Sequence, residues 1–276
     1  MSQRLRVATL NCWNIATPFD ERMALIRASI EAIQPDVIGL QEIIVRRDGF
    51  DQAARVLDGL GYRWVFGAAF RWNALHALLP FDHDGDAFGN VVAARWPIVE
   101  HTVHPLPGAE TGERRSLLAT RIETPSGTLA FLTTHFNWRF DHGYVRERQA
   151  LAVAEFTRHW AGESTLPPVL VGDLNAEPDS TEVRFLSGLA TLGGRSIYFQ
   201  DAWRVAGAGP GLTWDNRNPF AALAFEPNRR IDYILVGLPN RIDGRGRIES
   251  VRLAFTEPAG TIFASDHFGV VADIRG

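Results

Sequence analysis

A chain of 276 residues, 46% hydrophobic and 22% charged, is long enough to bury a sizeable core and has the make-up of one folded unit spanning 1–276. Its net charge of −4, without a run of basic residues, argues against a tight, sequence-independent grip on duplex DNA. All 28 basic residues are arginine. That excludes Schiff-base lysine chemistry and a P-loop lysine, and leaves the planar guanidinium fork as the only permanent cation for a phosphate.

Leu5 to Cys12 alternates as a strand, and Asp20 to Ile33 carries Met23, Ile26, Ile30 and Ile33 at helical spacing. Pro35 stops that helix and Asp36 to Glu42 forms the next strand. Phe50 to Leu60 reads as a short helix and Tyr62 to Gly67 as a strand. Ala68 to Phe88, with Trp72, Phe81 and Phe88, is expected to be a loop or short helix beside the functional site that selects substrate. Its Asp82–Asp86 run is a turn, because a calcium loop would place its glycine elsewhere and close on glutamate. Asn90 to Ala94, Ile98 to Val103, Ser116 to Glu123 and Thr128 to His135 follow as strands. Gly143 to Trp160 is a helix, Val169 to Gly172 a buried strand, Asp179 to Leu186 a helix and Arg195 to Gly211 loop-rich. Arg230 to Val236, Ile248 to Thr256 and His267 to Ile274 close the chain as strands. Many strands with helices between them predict an α/β fold, two sheets face to face with helices outside.

No apolar run is long enough to span a bilayer, and no apolar stretch with a cleavage site opens the chain. The single Cys12 cannot close an intrachain disulfide. A cytoplasmic monomer is therefore expected.

Five strand ends offer polar chemistry: Thr9 to Asn11, Leu40 to Glu42, Gly172 to Asn175, Arg230 to Tyr233 with Asp232, and Ser265 to His267. Asp173 and Asn175, two apart after an apolar strand, present hard oxygen donors suited to magnesium or manganese. Glu42 closes a second apolar strand, with Asn11 ending its neighbour. Asp266 and His267 are adjacent, pairing an acid with the side chain suited to proton transfer near neutral pH. His135 ends another strand, so two histidines can face one phosphorus from strand ends. Arg115, Arg148 and Arg230 are the candidate phosphate contacts. The surplus of Asp, Glu and Asn over clustered His and Cys favours magnesium over zinc.

Taken in order, these segments resemble the endonuclease/exonuclease/phosphatase superfamily. The matching runs are TLNCWN (Thr9 to Asn14), DVIGLQE (Asp36 to Glu42), GNVVAARWPI (Gly89 to Ile98), TTHF (Thr133 to Phe136), RERQA (Arg146 to Ala150), VGDLNAEP (Val171 to Pro178), RRIDYILV (Arg229 to Val236) and SDHFGV (Ser265 to Val270). They cover nearly the whole chain. The resemblance implies a four-layer α/β-sandwich of two mixed sheets and cleavage of phosphoesters with Mg²⁺ or Mn²⁺. It implies Asn11, Glu42 and Asp266 as metal ligands, and Asp173 and Asn175 as the pair that orients water and holds phosphate. It further implies Asp232 as the carboxylate supporting a catalytic His267. His135 is similar to a histidine of the DNase, deadenylase and neutral sphingomyelinase branch. A weaker likeness to that branch lies in Gly211 to Pro219, whose Thr213-Trp214-Asp215 precedes the Asp-Tyr strand. Phosphodiester hydrolysis is the leading expectation. Nucleic acid, membrane lipid and soluble nucleotide or phosphomonoester substrates all stay open.

Overall fold

The structure is a computed structural model that describes residues 4–71 and 85–276. Twelve strands appear among the described residues: β1 (Arg4–Asn11), β2 (Val37–Val45), β3 (Arg63–Arg71), β4 (Ala87–Ala94), β5 (Ile98–Pro105), β6 (Ser116–Thr124), β7 (Gly127–His135), β8 (Val169–Asp173), β9 (Gln200–Asp201), β10 (Asp232–Val236), β11 (Ile248–Ala254) and β12 (Gly269–Arg275). They form two six-stranded mixed sheets, ordered β11-β12-β1-β2-β4-β3 and β5-β6-β7-β8-β10-β9. The parallel pairs β1–β2 and β7–β8 lie at the centres.

Period-two alternation builds the layers. In β1, Leu5 and Val7 join the core between the sheets, while Ala8 and Leu10 join the core under helix α1 (Phe19–Ile33). In β7, β8 and β10, Phe131, Val171 and Ile234 face between the sheets. Leu132, Leu170 and Leu235 face the helices α3 (Gly143–Trp160) and α4 (Thr181–Leu186). The result is the expected four-layer α/β-sandwich.

Each inward row changes character at the same end of the sandwich. In β1 it runs Leu5, Val7, Thr9, Asn11, and in β7 Leu129, Phe131, Thr133, His135. In β8 it is Val169, Val171, Asp173, and in β10 it begins at Asp232 before Ile234 and Val236. Just behind that polar end, Gln41 donates to Thr133 Oγ1 across the interlayer at 2.8 Å and to Thr9 Oγ1 at 3.0 Å. This short polar bridge ties β1, β2 and β7 together. Beside it, a Cβ on Gly39 would sit 2.5 Å from Val171 Cγ2 and 2.8 Å from Thr133 Oγ1. Gly39→Ala is therefore expected to destabilise the protein by about 1–3 kcal/mol, as overpacking does, read by urea denaturation. An unchanged midpoint would show that the sheets separate freely at this point.

Several element boundaries differ from expectation for local reasons. The helix expected over Phe50 to Leu60 is only α2 (Gln52–Leu57), because Asp51 caps it and the backbone turns extended at Asp58. Asp179 to Leu186 starts as a helix at Thr181, where the Ser180 hydroxyl accepts from the Val183 amide. Ala68 to Phe88 is not one loop. Ala68 to Arg71 extends β3, Ala87 and Phe88 open β4, and Phe70 stacks on Phe88 at 5.2 Å. Trp72 and Phe81 lie outside the described residues. Arg195 to Gly211 contains β9 and α5 (Ala202–Ala206), whose cap is Asp201. The last expected strand begins at Gly269, which leaves Asp266 and His267 on the preceding loop. No helix among the described residues is long and apolar enough to cross a membrane.

Candidate active site

Strand register places three site residues side by side on the second sheet: His135 pairs with Asp173 across β7–β8, and Asp173 with Asp232 across β8–β10. The first sheet faces them with Asn11 and Glu42. Alternation alone would turn Glu42 outward with Ile38 and Leu40. Instead the β2–β4 register shifts between Leu40 and Ile43, and Glu42 adopts a left-handed φ of 58°. Such a bulge re-aims a side chain, and here it brings the carboxylate to the interlayer, where Asn11 and Asn14 meet it. The Asn11 amide donates to Glu42 Oε1 at 3.3 Å and to Asp173 Oδ2 at 3.0 Å, joining the two sheets. Asn14 donates to Glu42 Oε2 at 2.8 Å.

Asp173 and Asn175 come together by a turn, not by strand periodicity. β8 ends at Asp173, Asn175 takes φ 48°, and its backbone amide donates to Asp173 Oδ1 at 2.8 Å. The preceding Gly172, at φ 143°, has no room for a Cβ, which would meet the Thr134 carbonyl oxygen at 1.9 Å.

The two histidines have opposite electrostatic surroundings. His267 Nδ1 lies 2.8 Å from Asp232 Oδ2, and Nε2 lies 3.8 Å from Asp173 Oδ2. Burial alone would lower its pKa, but the charges of Asp232 and Asp173 and the Asp232 hydrogen bond push it up to about 10. The ring is therefore an imidazolium near neutral pH. His135 has Arg115 Nη1 2.8 Å from Nδ1 and the Asn175 amide 3.0 Å from Nε2, with Asp173 Oδ2 at 3.4 Å. Arginine only donates, so Nδ1 must accept. Burial, followed by the charges of Arg115 and His267, holds His135 well below its usual pKa and hence neutral.

Buried acids surround this pair. Burial, together with the charge of Asp232, raises Asp173 to about 6. Burial, with Glu42 adding and His267 opposing, raises Asp266 to about 7. Among the described residues Asp232 Oδ1 has no hydrogen-bond partner.

A divalent cation fits this donor set. Buried Asp266 and half-buried Glu42 repel each other, among the described residues Glu42 accepts hydrogen bonds only from the Asn11 and Asn14 amides, and a hard cation would relieve that charge. Asp173, Asp232 and His267 also bring ligand atoms within 4.8 Å of one another. There, however, the His267–Asp232 hydrogen bond and the imidazolium leave the histidine no lone pair for a metal. The Glu42–Asp266 side is the better cation position.

Two of the three expected arginine contacts have other roles. Arg115 reaches the cluster through His135 and is also paired with Glu113. Arg230 is buried, clamps Asp201 with its two terminal guanidinium nitrogens at 3.1 and 2.7 Å, and lies over the Tyr233 ring at 4.7 Å. Arg148 is exposed on α3, pairs with Glu110, and is not brought to the cluster. Sequence reading singled out neither Asn14 nor the Thr213–Trp214 pair as site residues. Thr213 Oγ1 accepts from the Ile231 and Asp232 amides at 3.1 Å, and the Trp214 ring meets His267 edge-on at 4.9 Å. Their only sequence signals are that Asn14 closes the TLNCWN run and that Thr213-Trp214-Asp215 resembles a family stretch.

A sandwich of two mixed sheets, carrying acids, amides and two histidines at one end, has the fold of phosphoesterases and nucleases. A profile of the Endonuclease/Exonuclease/phosphatase family matches residues 8–267, and the chain belongs to that family. A search of curated proteins finds no significant sequence match. Among solved structures, Danio rerio TDP2 complexed with a single-strand DNA product superposes with a TM-score of 0.76 at 19% identity, over 99% of this chain and 100% of that one. The human Nocturnin catalytic domain with a bound sulfate anion gives 0.72 at 20% identity, over 99% and 96%. An endonuclease/exonuclease/phosphatase from Bacteroides vulgatus gives 0.71 at 17% identity, over 99% and 98%. These likenesses are of fold.

Proposed function

We propose that the protein is a Mg²⁺- or Mn²⁺-dependent phosphodiesterase that hydrolyses a P–O bond by attack of water, with 1–276 as one catalytic unit. The carrying observation is Asp173, a buried carboxylate with a raised pKa set between a cationic and a neutral histidine. Glu42 and Asp266 would hold the metal, with Asn11 fixing Glu42 in place. The bound ion would neutralise charge on the phosphate oxygens.

Asp173 takes a proton from the attacking water. Its pKa near 6 makes it a stronger base than a solvated aspartate while keeping it ionised at neutral pH. Asn175 orients the water and the phosphate through its amide. His267, held by Asp232, presents positive charge to the phosphorane and can give its Nε2 proton to the departing oxygen. His135 stays neutral and positions Asn175 and Asp173, while Arg115 fixes its ring. Preorganised charge of this kind is the largest catalytic contribution such a site makes.

EDTA is expected to abolish hydrolysis of bis(p-nitrophenyl) phosphate, and added Mg²⁺ or Mn²⁺ to restore it. Full turnover in metal-free buffer would overturn the mechanism. The buried single Cys12 accords with a reducing cytoplasm, and a monomer is part of the same proposal.

A further inference from the structure

Beside the catalytic row, at the β9 edge of the second sheet, lies a cavity of about 500 Å³. Pro178 and Arg230 form its near wall. Pro178 is three residues beyond Asn175 and Arg230 two before Asp232, so the wall lies within about 11 Å of the site along the chain. A second cavity of about 270 Å³ continues away from the site and shares Ser187, Leu189, Asp201 and Arg204 with the first.

The lining is both cationic and flat. Arg184 and Arg204 line the first cavity, and among the described residues neither guanidinium has a carboxylate partner. Arg230 and Asp201 neutralise each other in their bidentate pair. Two free guanidinium groups therefore face one carboxylate, Asp179. Trp203 walls the first cavity and Tyr198, half exposed, walls the second. The volume of the first cavity falls in the range of sites that hold a ligand. Guanidinium groups alternating with aromatic and aliphatic faces are the chemistry that holds a single-stranded nucleic acid, cations on phosphates and rings beneath bases. The net charge of −4 does not oppose this, because the excess is local.

We propose that this double cavity is a groove for single-stranded nucleic acid, receiving the nucleotides next to the scissile phosphate. Arg184 and Arg204 bind the backbone, and Trp203 and Tyr198 support bases. The inference rests on the phosphodiesterase reading and narrows its substrate class. Arg184 and Arg204 touch no catalytic group, so they set which diester is used without altering the chemistry.

The test uses a 5′-fluorescein-labelled ten-nucleotide thymidine strand, bound in EDTA and read by fluorescence anisotropy. Bis(p-nitrophenyl) phosphate hydrolysis in Mg²⁺ is measured in parallel. Arg184→Ala/Arg204→Ala is expected to weaken strand binding about tenfold or more, and to flatten the slope of log K against log salt by about 1.4, two single-strand phosphate contacts. Small-diester turnover should stay within about twofold of wild type. Tyr198→Ala should weaken binding with the salt slope unchanged, because stacking releases no counterions. If wild type binds the strand through these arginines yet cleaves neither diester, the groove stands and the hydrolytic reading falls. Unchanged affinity and slope in the double variant would overturn the groove. So would a wild type that fails to bind, loss of small-diester turnover along with strand binding, or loss of binding to anionic phospholipid vesicles in place of the strand.

Discussion

Arg22→Met is expected to lower the stability of the protein by about 4 kcal/mol or more, because a buried acceptor left without its donor costs about 1–3 kcal/mol. Arg22 is fully buried on α1, and its guanidinium donates to five main-chain carbonyls, those of Cys12, Trp13, Asn14, Ala16 and Ala264. It also lies over the Trp13 ring at 4.9 Å. Methionine fills a similar volume but makes none of these bonds: Trp13 and Asn14 keep the Ala16 and Gln52 amides as donors, while the carbonyls of Cys12, Ala16 and Ala264 are left without one among the described residues. Lysine, with three donors on one nitrogen in place of a planar fork of five, should recover part of the loss. Urea denaturation of the three proteins is the measurement. A loss under about 1 kcal/mol for Arg22→Met would mean that water replaces the guanidinium without difficulty. The loop that Arg22 gathers is the one that delivers Asn14 to Glu42, so Arg22→Lys should also weaken metal affinity while the chain stays folded.

His267→Ala and Asp232→Asn are each expected to reduce turnover by ~10²–10⁴-fold, the range of a positioned acid–base group. The first removes the imidazolium, and the second removes its principal charge partner. The loss should appear in kcat, since the cation is most needed when charge accumulates on the phosphorane. A His267→Ala protein with wild-type kcat would remove the residue from the mechanism. The same pair makes a signed stability prediction for the metal-free protein. The His267 pKa is raised from 6.5 to about 10 in the fold, so its stabilisation is fully present below pH 6.5 and disappears as pH rises through about 10. In EDTA, the stability gap between wild type and Asp232→Asn should be widest below pH 6.5 and should shrink as the pH climbs past 10. A gap that widens with pH would contradict the cationic assignment.

The alternating strands and the apolar periodicity of α1 were legible because each residue's face follows from its own position in the chain. The same logic exposed Asn11, His135, Asp173 and Asp232, where an apolar inward row breaks into polar side chains. It failed where the backbone leaves the pleat. Nothing in the order of residues from Val37 to Glu42 announces the left-handed φ at Glu42 that carries its carboxylate inward. Asn175 likewise reaches the site by a turn beyond the end of its strand. Distance along the chain hid the rest. Arg22 meets a carbonyl 242 residues away, and Arg230 meets an acid 29 residues earlier on the short strand β9. An arginine in a row of letters has the same appearance whether it will clamp an aspartate, cage a loop or face a phosphate. Arg148, Arg230 and Arg115 show how differently three similar prospects resolve.

The Gln41–Thr133 bond, with Gly39 beside it, gives the interlayer a further meaning. Glu42 belongs to one sheet, while His135, Asp173 and Asp232 belong to the other. The aperture of the reaction chamber is thus the gap between two slabs, and the side chains filling that gap work as its calipers. Val171 and Thr133, which have no part in the proposed chemistry, set how far apart the opposing groups stand. A methyl group added deep in the interlayer acts like a shim, and its effect is felt where the phosphate sits. Mutational tolerance in this protein should therefore follow the thickness of that middle layer more closely than distance from the reacting atoms.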